Sequence, residues 1–100
     1  MKIEFSPTFS CDNGCYTYRP KSFYAESSKE ALQKFKDFYD NDDEAGTFED
    51  VFIEGQNVET DAWDFEFSYQ TRLRNNKLDD EYNRLFKKLK AELRKLFKDE

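Results

Sequence analysis

At 100 residues the chain has the length of one domain, residues 1–100, and can bury a small core of its own. Eleven Phe, six Tyr and one Trp exclude a disordered acidic chain, which would be poor in aromatics, and 38 % charged residues set a strongly charged surface over that core. The net charge of −6 conceals a separation: residues 37–66 hold twelve acids and no Lys or Arg, whereas residues 84–98 hold seven bases against one acid, Glu92.

Residues 2–10 alternate Ile3, Phe5, Pro7 and Phe9 with polar neighbours, the period-two pattern of a half-buried strand. Asn13-Gly14 follows as a type I′ hairpin turn, and residues 15–25 return as a second strand. A two-residue turn pairs positions that sum to 27. Cys11 then faces Tyr16, Phe9 faces Tyr18 and Ile3 faces Tyr24. A three-residue loop would place Cys11 opposite Cys15 but turn Tyr16 and Tyr18 to the polar face, so the first register is preferred. Pro7 and Pro20 face each other in it. Neither can donate to a ladder, which marks a sheet edge or a bulge.

Ser27-Ser28-Lys29-Glu30 is a capping box opening a helix over 27–40, with Ala31, Leu32, Phe35, Phe38 and Tyr39 as its buried stripe. Its C-terminal end is crowded with Asp37, Asp40, Asp42, Asp43 and Glu44, at the pole of the helix dipole that favours bases. Either the helix frays early or something offsets the repulsion. Residues 47–54 read as a third strand, with Val51 and Ile53 on one face and Phe48 and Phe52 on the other. Gly55-Gln56-Asn57 reads as the following turn. Residues 62–74 read as a fourth strand, placing Trp63, Phe65, Phe67, Tyr69, Thr71 and Leu73 on the core face, until Asn75-Asn76 breaks it. A second helix spans 79–98, with Tyr82, Leu85, Phe86, Leu89, Leu93, Leu96 and Phe97 recurring at three- and four-residue steps. Acids open it and bases close it, in agreement with the dipole. The order ββα-ββα predicts a two-layer α+β domain, a four-stranded antiparallel sheet with two helices on one face.

The chemistry-bearing residues are few. The chain has no His and only two Cys, so it cannot build a Cys/His zinc site alone. Cys11 and Cys15 are read as ordinary hairpin residues. An EF-hand loop started at Asp40 fails at Ala45 and Val51, where Gly and a bidentate Glu are needed; started one residue later, it fails at Ala45 and Phe52. Asp64 and Glu66 sit side by side on a strand with no cleft implied, and no Ser or Cys has an evident base, so no enzyme, metal or cofactor is expected. No apolar stretch is long enough for a transmembrane helix and the N-terminus lacks a secretory apolar region, so the expected compartment is the cytoplasm, or the host cytoplasm for a viral protein.

What remains is charge. The basic helix suggests nucleic acid, but a pI of 4.7 and a −12 segment in the same body oppose phosphate contacts, so no direct nucleic-acid binding is expected. The acidic segment suits the opposite role. Carboxylates at i and i+2 on a strand stand about 6.7 Å apart, comparable with successive phosphates of a nucleic-acid strand. The expected partner is thus a basic protein surface, itself a nucleic-acid-binding one. The candidate binding residues are Asp40, Asp42, Asp43, Glu44, Glu49, Asp50, Glu54, Glu59, Asp61, Asp64 and Glu66. In composition the chain resembles the small acidic phage proteins that block host defence enzymes, anti-restriction and anti-CRISPR inhibitors among them; the likeness transfers no residue. The alternatives are a homodimeric structural or regulatory protein that pairs through the second helix and a nucleic-acid binder that uses its basic face. Monomer and homodimer are both open.

Overall fold

A computed structural model of the chain describes residues 1–11, 16–70 and 79–98, without the side chains of 79 and 80. The turn at Asn13-Gly14, Cys15, the strand end at 71–74 and the break at Asn75-Asn76 lie outside the described residues. Five strands, two helices and one 3₁₀ turn follow in the order β1 (Ile3–Ser10), β2 (Thr17–Tyr18), β3 (Phe23–Ala25), α1 (Ser28–Asn41), the 3₁₀ turn Ala45–Thr47, β4 (Asp50–Asn57), β5 (Trp63–Gln70) and α2 (Asp79–Phe97). All pairings are antiparallel, in the order β2-β1-β4-β5, with β3 continuing the β2 position against β1. The sheet is therefore four strands wide, its second strand broken in two, and β5 is one edge.

Ile3, Phe5 and Phe9 of β1, Val51 and Ile53 of β4, and Phe65 and Phe67 of β5 share one buried cluster with Ala31, Phe35 and Tyr39 of α1 and Leu85, Phe86, Leu89 and Leu93 of α2. Both helices thus cover one face and leave the other to solvent. The core is aromatic at its centre: Phe9 lies within 6.4 Å, centroid to centroid, of Phe35, Tyr39 and Phe48. The apolar stripe of α2 packs on this cluster, with Tyr82, Leu96 and Phe97 partly buried beside it. Leu85, Leu89 and Leu93 are buried there, and Phe86 meets Phe35 and Tyr39 of α1.

Four expectations are corrected. Phe9 pairs with Tyr18 as the two-residue turn requires, and the Cys11 amide donates to the Tyr16 carbonyl at 3.1 Å. Beyond Pro20 the register slips by one, so that Ile3 pairs with Ala25 and not with Tyr24. One extra residue is absorbed between Tyr18 and Phe23, a stretch that holds Pro20, which cannot donate to a ladder. The slip turns Phe23 and Ala25 toward the core and Tyr24 outward. Phe23 stacks on Phe5 at 5.3 Å.

Phe48 lies before β4 and is buried against Phe9, Tyr16 and Tyr18, on the core side. Gly55, Gln56 and Asn57 belong to β4 and the turn falls later, at 58–60. The glycine is there for closeness: a Cβ at Gly55 would come 2.8 Å from the Phe65 Cβ and 2.9 Å from the Ile3 Cγ2. Finally, Trp63 is 63 % exposed and not in the core. Gly55 pairs with Phe65 but Gln56 pairs with Trp63, so Asp64 is the extra residue of a β-bulge, and the bulge turns Trp63 away from the core face.

Candidate functional site, the solvent face and the acidic margins

The expected acids fall into three groups. The first lies where α1 ends. The helix runs to Asn41 despite its acids because donors reach them from elsewhere. The Tyr82 hydroxyl of α2 donates to Asp40 Oδ1 at 2.8 Å, the Tyr18 hydroxyl donates to Asp42 Oδ2, and the Tyr16 hydroxyl donates to Glu44 Oε1 at 3.3 Å. Asp42 also accepts the amides of Glu44 and Ala45 through Oδ1, at 2.9 and 3.1 Å, which starts the 3₁₀ turn. Tyr18 is pushed up to about 12 by its hydrogen bond to Asp42 and by burial, and Tyr82 to about 12 by burial and the bond to Asp40. Asp40, Asp42 and Glu44 are thus used within the fold, while Asp43 is exposed. Among the described residues no cluster of metal-ligating side chains occurs.

The second group sits at the far end, in and after the β4–β5 turn. The Asn57 side chain builds this turn by accepting the amides of Glu59 and Thr60 at 2.9 and 3.3 Å, and Asp61 closes it in the left-handed region at φ 61°. Asp64 accepts a weak contact from the Asn57 amide nitrogen at 3.4 Å. Because Asp64 occupies the bulge, the regular two-residue spacing to Glu66 is lost. Glu59, Asp61 and Asp64 are exposed.

The third group lies on the uncovered sheet face, which the register resolves into rows. Tyr24, Glu4, Gln56 and Trp63 form one row across the four strands. Next come Ser6, Glu54 and Glu66, then Thr8, Phe52 and Ser68, and last Thr17, Ser10, Asp50 and Gln70. Glu49 precedes Asp50, its amide donating to the Ser10 carbonyl at 3.2 Å. No residue of β1, β4 or β5 is Lys or Arg. Glu4 accepts from the Ser22 hydroxyl at 2.9 Å, and its charge raises the Tyr24 phenol above its ordinary pKa. Glu54 and Glu66 stand directly opposite each other and have no ion-pair or hydrogen-bond partner among the described residues.

Structure thus brings together only part of what the sequence proposed: Asp50, Glu54 and Glu66 share a face, with Glu49 just before Asp50, while Asp40, Asp42, Asp43 and Glu44 lie where α1 ends and Glu59, Asp61 and Asp64 lie in and after the β4–β5 turn. Sequence reasoning missed Glu4, Tyr24 and Trp63. Glu4 lies outside the acidic run, and the two rings are placed by a slip and a bulge that hydrophobic alternation does not encode.

The bases of α2 form a separate zone. Arg84 pairs with Glu81 at 3.2 Å, Lys95 with Glu92 at 3.5 Å, and Lys88 lies 5.5 Å from the centroid of the Tyr69 ring. Tyr69 donates to Glu81 at 2.9 Å and is pushed up to about 12, mainly by burial. Among the described residues no helix is long and apolar enough to cross a membrane. Comparison with protein-family models, with curated proteins and with solved structures returns no match to this chain.

Proposed function

We propose that the protein is a non-enzymatic binding module whose acidic surface occupies a basic, nucleic-acid-binding surface of another protein, in the manner of a phage inhibitor of host defence enzymes. The observation that supports this is the uncovered sheet face. It carries Glu4, Asp50, Glu54 and Glu66 with no base from β1, β4 or β5. Such a surface favours a cationic partner and steers its approach over roughly a Debye length, about 10 Å at 0.1 M salt.

The test is displacement. Proteins of a cell extract are bound to DNA-cellulose at low salt and challenged with the pure chain. It is expected to release a subset of them, less effectively as salt rises. A variant with Asp43, Glu54 and Glu66 changed to Lys is expected to release none while melting at nearly the same temperature. Release that is equal for both forms, or no release at all, counts against this function.

A further inference from the structure

We infer that the solvent face of the sheet docks an arginine-bearing protein segment, with one guanidinium seated between Glu54 and Glu66 and against the Trp63 indole. The inference rests on the proposed function for the sign of the partner's charge; it adds the face, the subsite and the side chain received.

Glu54 and Glu66 are directly opposed on β4 and β5, which places their Cβ atoms about 4.5–5.5 Å apart. Like charges so placed are destabilising. The cost falls away when a cation sits between them. A guanidinium suits this gap better than an ammonium, because its planar fork of five donors can engage two carboxylates at once and it is more weakly hydrated.

The second observation is Trp63. At 63 % exposure it is the most exposed large apolar side chain of the described residues, and it is the chain's one Trp. Register places it beside Gln56, one row from Glu54 and Glu66. Both rows lie on the solvent face of the sheet, and indole is the best face for a cation. The same row already shows this chemistry within the chain: the Lys2 ammonium lies 5.1 Å from the centroid of the Tyr24 ring, itself 45 % exposed. Ser6, Thr8 and Ser68 supply a neutral, hydrogen-bonding floor beside the subsite.

Because Trp63 is the sole Trp, its emission reports on this face directly. The probes are fluorescently labelled oligo-arginine and oligo-lysine peptides of equal length, titrated at low salt. Label anisotropy reports binding and indole emission reports where it occurs. Oligo-arginine is expected to bind more tightly than oligo-lysine and to change Trp63 emission. The double variant Glu54→Gln with Glu66→Gln is expected to weaken it about tenfold or more, as loss of charge-assisted hydrogen bonds implies, while keeping the wild-type circular dichroism and melting no lower than wild type, since it removes the opposed charges. Binding with unchanged emission and no loss in the double variant would overturn this subsite and leave the acidic-surface function standing. Equal affinity for the two peptides would overturn the guanidinium assignment. No binding of either peptide would overturn both readings.

Discussion

Three tyrosines tie this fold to its own acids. Tyr18, Tyr69 and Tyr82 donate to Asp42, Glu81 and Asp40, and each phenol is raised from 10 to about 12. A phenol raised in the folded state stabilises that state fully below the unfolded value near 10 and loses the contribution as pH rises toward about 12. The denaturation midpoint is therefore expected to fall across this window. Phenolate absorbance should show a late phase that shrinks in each of the variants Tyr18→Phe, Tyr69→Phe and Tyr82→Phe. A different kind of constraint acts at Gly55, where Phe65 and Ile3 leave no room for a methyl group. Gly55→Ala is expected to cost about 1–3 kcal/mol as overpacking, read from urea denaturation.

The elements show where sequence reasoning holds. Helix boundaries were legible because capping is local chemistry: the Glu30 amide donates to Ser27 Oγ at 3.1 Å, and the Glu30 carboxylate accepts the Glu26 amide at 2.6 Å. The stripe of α2 was legible because seven apolar residues at helical spacing specify one face. The slip near Pro20 and the bulge at Asp64 were not, since each depends on contacts between strands distant in sequence. Burial of Phe48 was hidden for the same reason: it answers to Phe9, Tyr16 and Tyr18 and not to its neighbours. The acidic run was visible, but nothing in it shows that Asp40, Asp42 and Glu44 are engaged by tyrosines while Glu54 and Glu66 face each other. For α2, Leu89→Ala truncates a side chain that is 1 % exposed, and a loss of about 2–5 kcal/mol is expected in chemical denaturation.

For the molecule as a whole, that loss should not depend on protein concentration, because Leu89 is buried within one chain. Melts of wild type and Leu89→Ala over a hundredfold range of concentration check this, since a dimer seam would raise the midpoint with concentration by mass action. The charge distribution carries a second expectation. Two of the bases of α2 are paired with acids of the same helix, and the sheet face opposite the helices is acidic. DNA and RNA are therefore expected to show no measurable affinity at physiological salt. A low-micromolar dissociation constant in an anisotropy titration would move the functional surface to the helix.

β5 is the outer strand of the sheet, paired with β4 on one side only among the described residues. An open strand edge is a template on which further chains can stack, and charges and bulges are what blunt it. Here Asp64 and Glu66 stand along the strand with a bulge at its start. This protection is anionic and so depends on acidity. Near the pI of about 4.7 the net charge vanishes, and chains that no longer repel one another can meet along this aromatic strand. Thioflavin fluorescence and light scattering are expected to reveal fibrillar assembly that peaks near that pH. It should decline again in stronger acid, where sixteen Lys and Arg repel one another. Ser68→Lys, which puts a permanent charge on the exposed side of the strand, is expected to suppress the peak. Equal assembly by that variant would show that the edge is not what joins the chains.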